Sequence, residues 1–195
     1  MFRKFAKFVT SIFFSVFFKV KLIGRENIPE KGPVVLCANH RSMTDMFFIA
    51  CFISRWIYWM SKHELHRNKF LALILKLLGS FPIRRGKANI ESFKTAYKLL
   101  DEGHIIGIFP EGTRVKAKKK IVIHDGAALI ALKKNVPVLP VAISGKVSLF
   151  GNITVTYGKP MLLSNGVENE NGNENLKENS KMIMDEIYRL AGGIS

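Results

Sequence analysis

An apolar run that ends in a polar turn and leads into a second apolar run is the feature that most constrains this fold. Residues 33–38 have the length and branched apolar composition of a buried strand. The polar turn, residues 39–45, leads into residues 46–53, which are typical of a helix. Strands and helices alternate in this way through the middle of the chain. The pattern predicts an α/β fold with a mixed, largely parallel sheet flanked by helices.

The remaining segments extend this pattern along the chain. Pro137 and Pro140 have no N–H group for a sheet ladder, so their strand is expected at an edge or rim of the sheet. Strands are predicted over residues 56–60, 79–86, 105–109, 136–143 and 152–157, and helices over residues 70–78, 92–100, 126–133 and 182–190.

Residues 1–21 combine seven phenylalanines with five basic residues. The longest uncharged stretch, Phe8 to Phe18, has eleven residues, whereas a membrane-spanning helix needs about 20. The composition favours a membrane-associating helix that lies in the interface, with lysines at the head groups. Two alternatives are a secretory signal peptide, for which no small-residue cleavage site follows, and a helix packed on the protein's own core.

The formal net charge of +15 is high for a chain of 195 residues. Residues 165–195 contain six acidic and three basic side chains, so the excess of positive charge lies in residues 1–164. Such a charge favours a polyanionic partner, which is nucleic acid, an anionic membrane surface or an anionic substrate.

The polar turn after the first buried strand brings a histidine and a carboxylate together. His40 precedes the predicted helix, and Asp45 lies in its first turn. In a helix the two side chains would point roughly 140° apart, at about 3.6 residues per turn. With His40 in the turn instead, the Asp45 carboxylate reaches back to the imidazole and orients it as a general base. The alternative is that Ser42 and Asp45 only cap the helix.

Basic and polar side chains follow several other predicted strands: Lys62, then Arg84 and Arg85, then the Glu-Gly-Thr-Arg turn of residues 111–114. Because sites in open α/β sheets gather where strands end, these groups are expected near one another. Arginine binds two phosphate oxygens with its planar fork, and Gly112 lets backbone N–H groups approach an oxyanion. The pattern therefore predicts a substrate that carries phosphate.

The sequence indicates neither a metal site nor a disulfide framework. Cys37 and Cys51 form no CxxC pair and are expected to be buried free thiols. His63 and His66 are three residues apart, but no third ligand is evident, so solvated histidines are expected. No GxSxG, GxxxxGK[ST] or GxGxxG pattern occurs, so the sequence predicts neither a serine hydrolase nor a nucleotide cofactor.

Four blocks of sequence follow one another over about a hundred residues. Residues 39–45 read NHRSMTD, residues 79–85 GSFPIRR, residues 109–114 FPEGTR and residues 136–141 VPVLPV. In this order they resemble the motifs of the glycerolipid acyltransferase family, of the 1-acylglycerol-3-phosphate type. The second block departs from the family pattern, because Arg84 stands where an acidic or amide residue is usual.

The resemblance implies an O-acyltransferase that needs no cofactor or metal. It implies transfer of an acyl group from acyl-CoA or acyl-acyl carrier protein to the free hydroxyl of 1-acyl-glycerol 3-phosphate, forming phosphatidic acid. His40 would be the general base and Asp45 the carboxylate that holds it. Glu111 is expected to position Arg114 or Arg85 rather than to touch phosphate. The residues assigned to the acceptor-phosphate site, by contact or, for Glu111, by positioning, are Lys62, Arg85, Glu111, Gly112, Thr113 and Arg114.

Two alternatives stay open beside this function. The first is a related acyltransferase that acylates glycerol 3-phosphate or another lysolipid, because Arg84 departs from the pattern within the acceptor block. The second is a basic, membrane-tethering binding module, which explains the charge but not the ordered blocks. The resemblance implies no nucleic-acid partner, and it implies a monotopic or peripheral enzyme on the cytoplasmic face of the cell membrane.

The domain organisation predicted from these features has four parts. A membrane-interface segment covers residues 1–23, and the acyltransferase domain covers residues 24–164. A polar linker of low complexity covers residues 165–180, and a C-terminal amphipathic helix covers residues 181–195.

Overall fold

The computed structural model describes residues 2–83, 90–114, 122–164 and 172–193. These residues form seven strands, six helices and two short 3-10 turns. The strands are β1 (Lys19–Ile23), β2 (Val34–Ala38), β3 (Ile57–Lys62), β4 (Phe81–Ile83), β5 (Ile105–Ile108), β6 (Val138–Gly145) and β7 (Asn152–Tyr157). The helices are α1 (Phe2–Phe17), α2 (Asp45–Ala50), α3 (Lys69–Leu77), α4 (Ile90–Asp101), α5 (Gly126–Lys134) and α6 (Gly172–Leu190). The 3-10 turns are Arg25–Asn27 and His63–His66.

The seven strands form one sheet in the order β1-β7-β6-β2-β5-β3-β4. All neighbouring strands in it are parallel except β6 and β7, which are antiparallel. The predicted α/β class, with a mixed, largely parallel sheet flanked by helices, is therefore confirmed. Because β2 to β6 run in one direction, their carboxyl ends meet at the same edge of the sheet.

Strand β2 is buried on both faces, which explains its continuous apolar sequence. Val35 and Cys37 pack with residues of α4, α5 and α6, whereas Leu36 and Ala38 pack on the other face with residues of α1 and α2. Cys37 and Cys51 are buried free thiols, as the sequence predicted. The sheet is thus the middle layer between two groups of helices.

The amino-terminal segment differs from the prediction. Residues Lys19–Ile23 form the edge strand β1, parallel to β7, instead of continuing the predicted interface segment. Val20 and Leu22 are half-buried and alternate with exposed neighbours, the period of a strand. Helix α1 buries Phe14 in the core but leaves other apolar side chains exposed. Within the described ranges, we find no helix with the length and apolar character that crossing a bilayer requires.

The predicted edge position of the proline-containing strand is wrong, because β6 lies between β2 and β7. Pro137 precedes β6, and the Pro140 carbonyl accepts a hydrogen bond from the Gly158 N–H group, on the β7 side. The N and C=O groups of one strand residue face the same neighbour. A donor at Pro140 would therefore face β7. Because pairing with β7 begins only at Val141, the ladder needs no N–H donor at Pro140.

The last helix is longer than predicted. Helix α6 begins at Gly172, inside the predicted linker, and buries Ile183, Met184 and Ile187 against the sheet. Its first turns are too polar for their amphipathic pattern to be recognised from the sequence. The rest of the predicted linker, residues 165–171, lies outside the described residues, as do Arg84, Arg85 and the basic stretch 116–120.

Close packing between β5 and β3 depends on the absence of a side chain at Gly107. A Cβ atom at this position would lie 2.5 Å from a ring carbon of Trp59. The Trp59 ring is buried and stacks on Phe109, with the ring centroids 5.0 Å apart, so it cannot move away freely.

Replacing Gly107 by alanine is expected to lower the free energy of unfolding by about 1–3 kcal/mol, the usual cost of overpacking a core. Urea-induced unfolding measures the change. Gly126→Ala is the matched control, because its Cβ atom would meet only Phe93, at 3.9 Å. Equal unfolding midpoints for the wild type and Gly107→Ala would contradict this account of the packing.

Candidate active site

A cleft of about 530 Å³ opens at the edge where the parallel strands end. Its walls come from the segments that follow β2, β3 and β5, and from the first turn of α5. The polar and charged residues that line it include His40, Ser61, Lys62, Thr113, Arg114, His124 and Asp125.

A histidine and a carboxylate are in contact at this cleft. His40 Nδ1 lies 2.9 Å from Asp45 Oδ2. The Asp45 side chain is fully buried, whereas 18% of the His40 side chain is exposed. When Nδ1–H donates to the carboxylate, the lone pair is on Nε2. The imidazole is therefore suited to accept a proton from a molecule in the cleft.

The same carboxylate also holds the turn that carries the histidine. Asp45 Oδ2 accepts hydrogen bonds from the backbone N–H groups of Arg41, at 2.6 Å, and Ser42, at 2.7 Å. The capping alternative fits only in part, because Thr44 precedes α2 and gives it no side-chain cap. The Ser42 hydroxyl instead lies 2.9 Å from that of Thr44. Asp45 thus fixes both the loop and the ring.

Asn39 and Arg41 attach this turn to the end of β6. Asn39 is buried; its Nδ2 donates to the Ile143 carbonyl at 3.0 Å, and its Oδ1 accepts from the Ile143 N–H group at 2.7 Å. Arg41 Nη1 donates to the Gly145 carbonyl at 2.8 Å. The Asn39 amide therefore continues the ladder between β2 and β6 beyond the last backbone pair.

Two aromatic rings support the imidazole from one side. The His40 ring stacks on Phe109, with centroids 4.2 Å apart and planes inclined by 20°. Phe109 in turn stacks on Trp59. Neither ring was expected at the site from the sequence, although Phe109 begins the FPEGTR block. The three stacked rings restrict the orientation of the imidazole.

Glu111 has different neighbours from those expected. Its carboxylate is buried; Oε2 accepts from the His40 backbone N–H group at 2.7 Å, and Oε1 accepts from the Tyr188 hydroxyl at 2.8 Å. Burial raises the pKa of the Glu111 carboxyl, and the two hydrogen bonds act in the opposite direction. Across the described ranges it forms no ion pair with Arg114, because both oxygens face the interior. Glu111 therefore does not position Arg114 as expected, and the alternative partner, Arg85, lies outside the described residues.

The other residues expected to bind phosphate are placed as follows. Lys62, Gly112, Thr113 and Arg114 all line the cleft, whereas Arg85 lies outside the described residues. Gly112 has a φ of +63°, in the left-handed region that favours glycine. The cleft thus gathers two cations and a tight turn beside the imidazole.

His66, expected to be a solvated histidine, is partly exposed but also makes a contact within the protein. Its Nε2 atom lies 2.7 Å from the Ser61 hydroxyl, which also accepts a hydrogen bond from Ser80. Burial lowers the pKa of His66. These contacts join the 3-10 turn to β3 and to the start of β4.

Three comparisons show which known proteins this chain is similar to. The family model described as Acyltransferase matches residues 19–144. A 1-acyl-sn-glycerol-3-phosphate acyltransferase of Bacillus subtilis is 34% identical over 148 residues, which cover 73% of this chain and 73% of that protein. The enzyme of the same name from Borreliella burgdorferi is 34% identical over 128 residues, which cover 64% of this chain and 51% of that protein.

A solved structure has the same fold. The crystal structure of the 1-acyl-sn-glycerophosphate acyltransferase PlsC from Thermotoga maritima matches with a TM-score of 0.71 and 22% identity. The match covers 99% of this chain and 82% of the other chain.

Replacing Asn39 by alanine is expected to lower the free energy of unfolding by about 1–3 kcal/mol, because the N–H and C=O groups of Ile143 lose their buried partners. Thermal and urea unfolding measure the loss. Asn152→Ala, at an exposed position of β7, is the control and should stay within about 0.5 kcal/mol of the wild type. A stability of Asn39→Ala equal to that of the control would exclude this attachment of the turn.

Proposed function

This chain belongs to the acyltransferase family, and we propose that it transfers an acyl group from a thioester to the free hydroxyl of 1-acyl-glycerol 3-phosphate, forming phosphatidic acid. The family predicted from the four sequence blocks is thereby confirmed. The observation that carries the proposal is the contact of His40 with Asp45 at a cleft that also holds cationic side chains.

The chemistry begins with the acceptor hydroxyl beside His40. Nε2 takes the hydroxyl proton, and the oxygen attacks the carbonyl carbon of the thioester. The C–S bond breaks, and the leaving thiolate takes the proton back from the imidazolium. Asp45 stabilises the imidazolium between these two proton transfers, so neither an acyl-enzyme nor a metal ion is needed.

The acceptor's phosphate is held by cations at the rim of the same cleft. Lys62 and Arg114 are exposed there, and Gly112 and Thr113 form the turn between Arg114 and the imidazole. A guanidinium group binds two phosphate oxygens at once, which fixes the headgroup and thereby the position of its hydroxyl. We assign Arg85 to the same role from its place in the second sequence block.

The acyl chain of the donor enters an apolar cavity next to the cleft. This cavity of about 90 Å³ is lined mainly by residues of α1, α2 and β3. Met46 and Trp59 line both the cavity and the cleft, so the two spaces are adjacent. A thioester that bridges them has its chain among apolar groups and its carbonyl carbon near His40. Either acyl-CoA or an acyl carrier protein supplies such a thioester.

His40→Ala is expected to reduce the formation of phosphatidic acid by roughly 10²–10⁴-fold, the usual contribution of a general base. The assay uses a radiolabelled acyl thioester and 1-acyl-glycerol 3-phosphate in detergent micelles. His104→Ala is the control, because His104 precedes β5, at the opposite edge of the sheet. Near wild-type transfer by His40→Ala would remove the base from the mechanism.

The same assay decides between acceptors when glycerol 3-phosphate and other lysolipids replace 1-acyl-glycerol 3-phosphate. We expect the highest kcat/KM with 1-acyl-glycerol 3-phosphate. A higher value with glycerol 3-phosphate would assign this chain to the related reaction, in agreement with the unusual Arg84.

We further propose that α1 and α3 hold the enzyme on an anionic membrane surface, as a peripheral protein on the cytoplasmic face. Arg3 of α1 donates to the Leu77 carbonyl of α3 at 3.1 Å, so the two helices adjoin. Helix α3 buries none of its side chains, although seven of its nine residues are apolar. Lysines flank both apolar surfaces, as in helices that lie at the membrane interface. The exposed apolar side chains of the two helices are Phe5, Phe8, Val9, Ile12, Phe13, Val16, Phe70, Leu71, Leu73 and Leu77.

The double variant Phe8→Ser and Phe70→Ser is expected to weaken binding to phosphatidylglycerol vesicles by about tenfold or more, because two apolar side chains no longer enter the interface. Sedimentation with vesicles measures the partition, and added salt should weaken it further. Leu162→Ser is the control, because Leu162 is 68% exposed but lies on neither helix. Unchanged partition of the double variant would contradict this surface.

A further inference from the structure

Helix α6 is joined to the catalytic turn through Tyr188. The Tyr188 hydroxyl donates to Glu111 Oε1 at 2.8 Å. Tyr188 lies outside residues 19–144, the part of the chain that the family model matches. Ile187, the residue before Tyr188, is fully buried, so this part of the helix is packed into the core.

The other oxygen of the same carboxylate holds the histidine. Glu111 Oε2 accepts the backbone N–H group of His40 at 2.7 Å. Only 3% of Glu111 is exposed, so water cannot readily replace a lost partner. The hydroxyl, the carboxylate and the backbone N–H group therefore form a continuous chain of hydrogen bonds from α6 to the residue that bears the imidazole.

Removing the Tyr188 hydroxyl leaves the Glu111 carboxylate with one of its two hydrogen-bond donors. A buried carboxylate with one donor instead of two can rotate or take up a proton, and either change loosens its bond to the His40 N–H group. Asp45 fixes the ring of His40, but Glu111 fixes its backbone. The direction in which Nε2 points depends on both.

We propose that Tyr188 is a positioning residue for the acyl transfer: through Glu111 it holds the backbone of His40, so that α6 completes the catalytic centre. This inference rests on the proposed function, because its kinetic test measures acyl transfer. Tyr188 is not among the residues that line the cleft, and its hydroxyl contacts Glu111 rather than the imidazole. Its effect should therefore appear in kcat and not in the KM for the acceptor.

The test compares Tyr188→Phe with Tyr97→Phe in the full chain. Both tyrosines are partly buried against the same hydrophobic cluster, but Tyr97 lies on α4 and does not contact Glu111. We expect kcat to fall about tenfold in Tyr188→Phe, the effect of losing one hydrogen bond to a charged group. The KM for 1-acyl-glycerol 3-phosphate should stay within about twofold of the wild type, because the phosphate contacts are unchanged. Tyr97→Phe should retain the wild-type kcat.

A double-mutant cycle with Glu111→Ala tests whether the effect passes through the carboxylate. In the Glu111→Ala background, Tyr188→Phe should change kcat by less than about twofold, because the intermediary is already absent. Independent, multiplicative losses would overturn the proposal, as would a Tyr188→Phe kcat equal to that of Tyr97→Phe. Melting temperatures of all variants ensure that each kcat refers to folded enzyme.

Hydrogen exchange provides a second measurement that does not require activity. Tyr188→Phe should speed amide exchange in peptides that contain residues 39–45, whereas Tyr97→Phe should not. Unchanged exchange there would overturn the proposal even where Glu111→Ala fails to fold. A wild-type enzyme that transfers no acyl group would refute the proposed function, and the exchange comparison would still decide whether α6 holds the turn.

Discussion

The backbone N–H groups of the turn after β2 have no partner strand to bond. Two side chains accept hydrogen bonds from them, and a third continues the ladder between β2 and β6. Glu111 takes the N–H group of His40, Asp45 takes those of the next two residues, and Asn39 replaces the missing bonds to β6. Because an unpaired buried N–H group is costly, the turn has few other conformations available to it. The interactions that stabilise the turn also direct its imidazole into the cleft.

Around this turn, acidic side chains are buried and basic side chains are exposed. Asp45 and Glu111 are buried next to the histidine, so the imidazolium of the proposed mechanism would form beside carboxylates. Lys62 and Arg114 lie at the exposed rim of the cleft, where the acceptor headgroup of the proposed reaction would bind. The net charge of +15 has the same sign as this rim. In the proposed mechanism, the buried carboxylates assist the proton transfer and the exposed cations bind the acceptor.

The elements predicted correctly from the sequence are those whose local pattern of apolar residues matches their burial in the fold. Strands β2 and β5 are buried on both faces, and their uninterrupted apolar sequences show it. Strand β1 was missed because its alternation is short and follows an apolar helix, and the start of α6 because its first turns are polar. The edge position predicted for β6 from Pro140 was wrong. A proline keeps a strand out of the middle of a sheet only where the ladder needs an N–H group at that position. That need depends on where the neighbouring strand ends.

The sequence by itself determined the α/β class, the contact between His40 and Asp45 and the family. His40 and Asp45 are only five positions apart in a strand-to-helix turn, and each of the four blocks is a continuous stretch of sequence. Only the tertiary structure decided that Glu111 faces the interior, that Phe109 and Trp59 stack beneath the imidazole, and that Tyr188 contacts the site from α6. The Tyr188 contact joins residues 77 positions apart. No periodicity or spacing encodes such a pair, because it depends on how separate elements pack across the sheet.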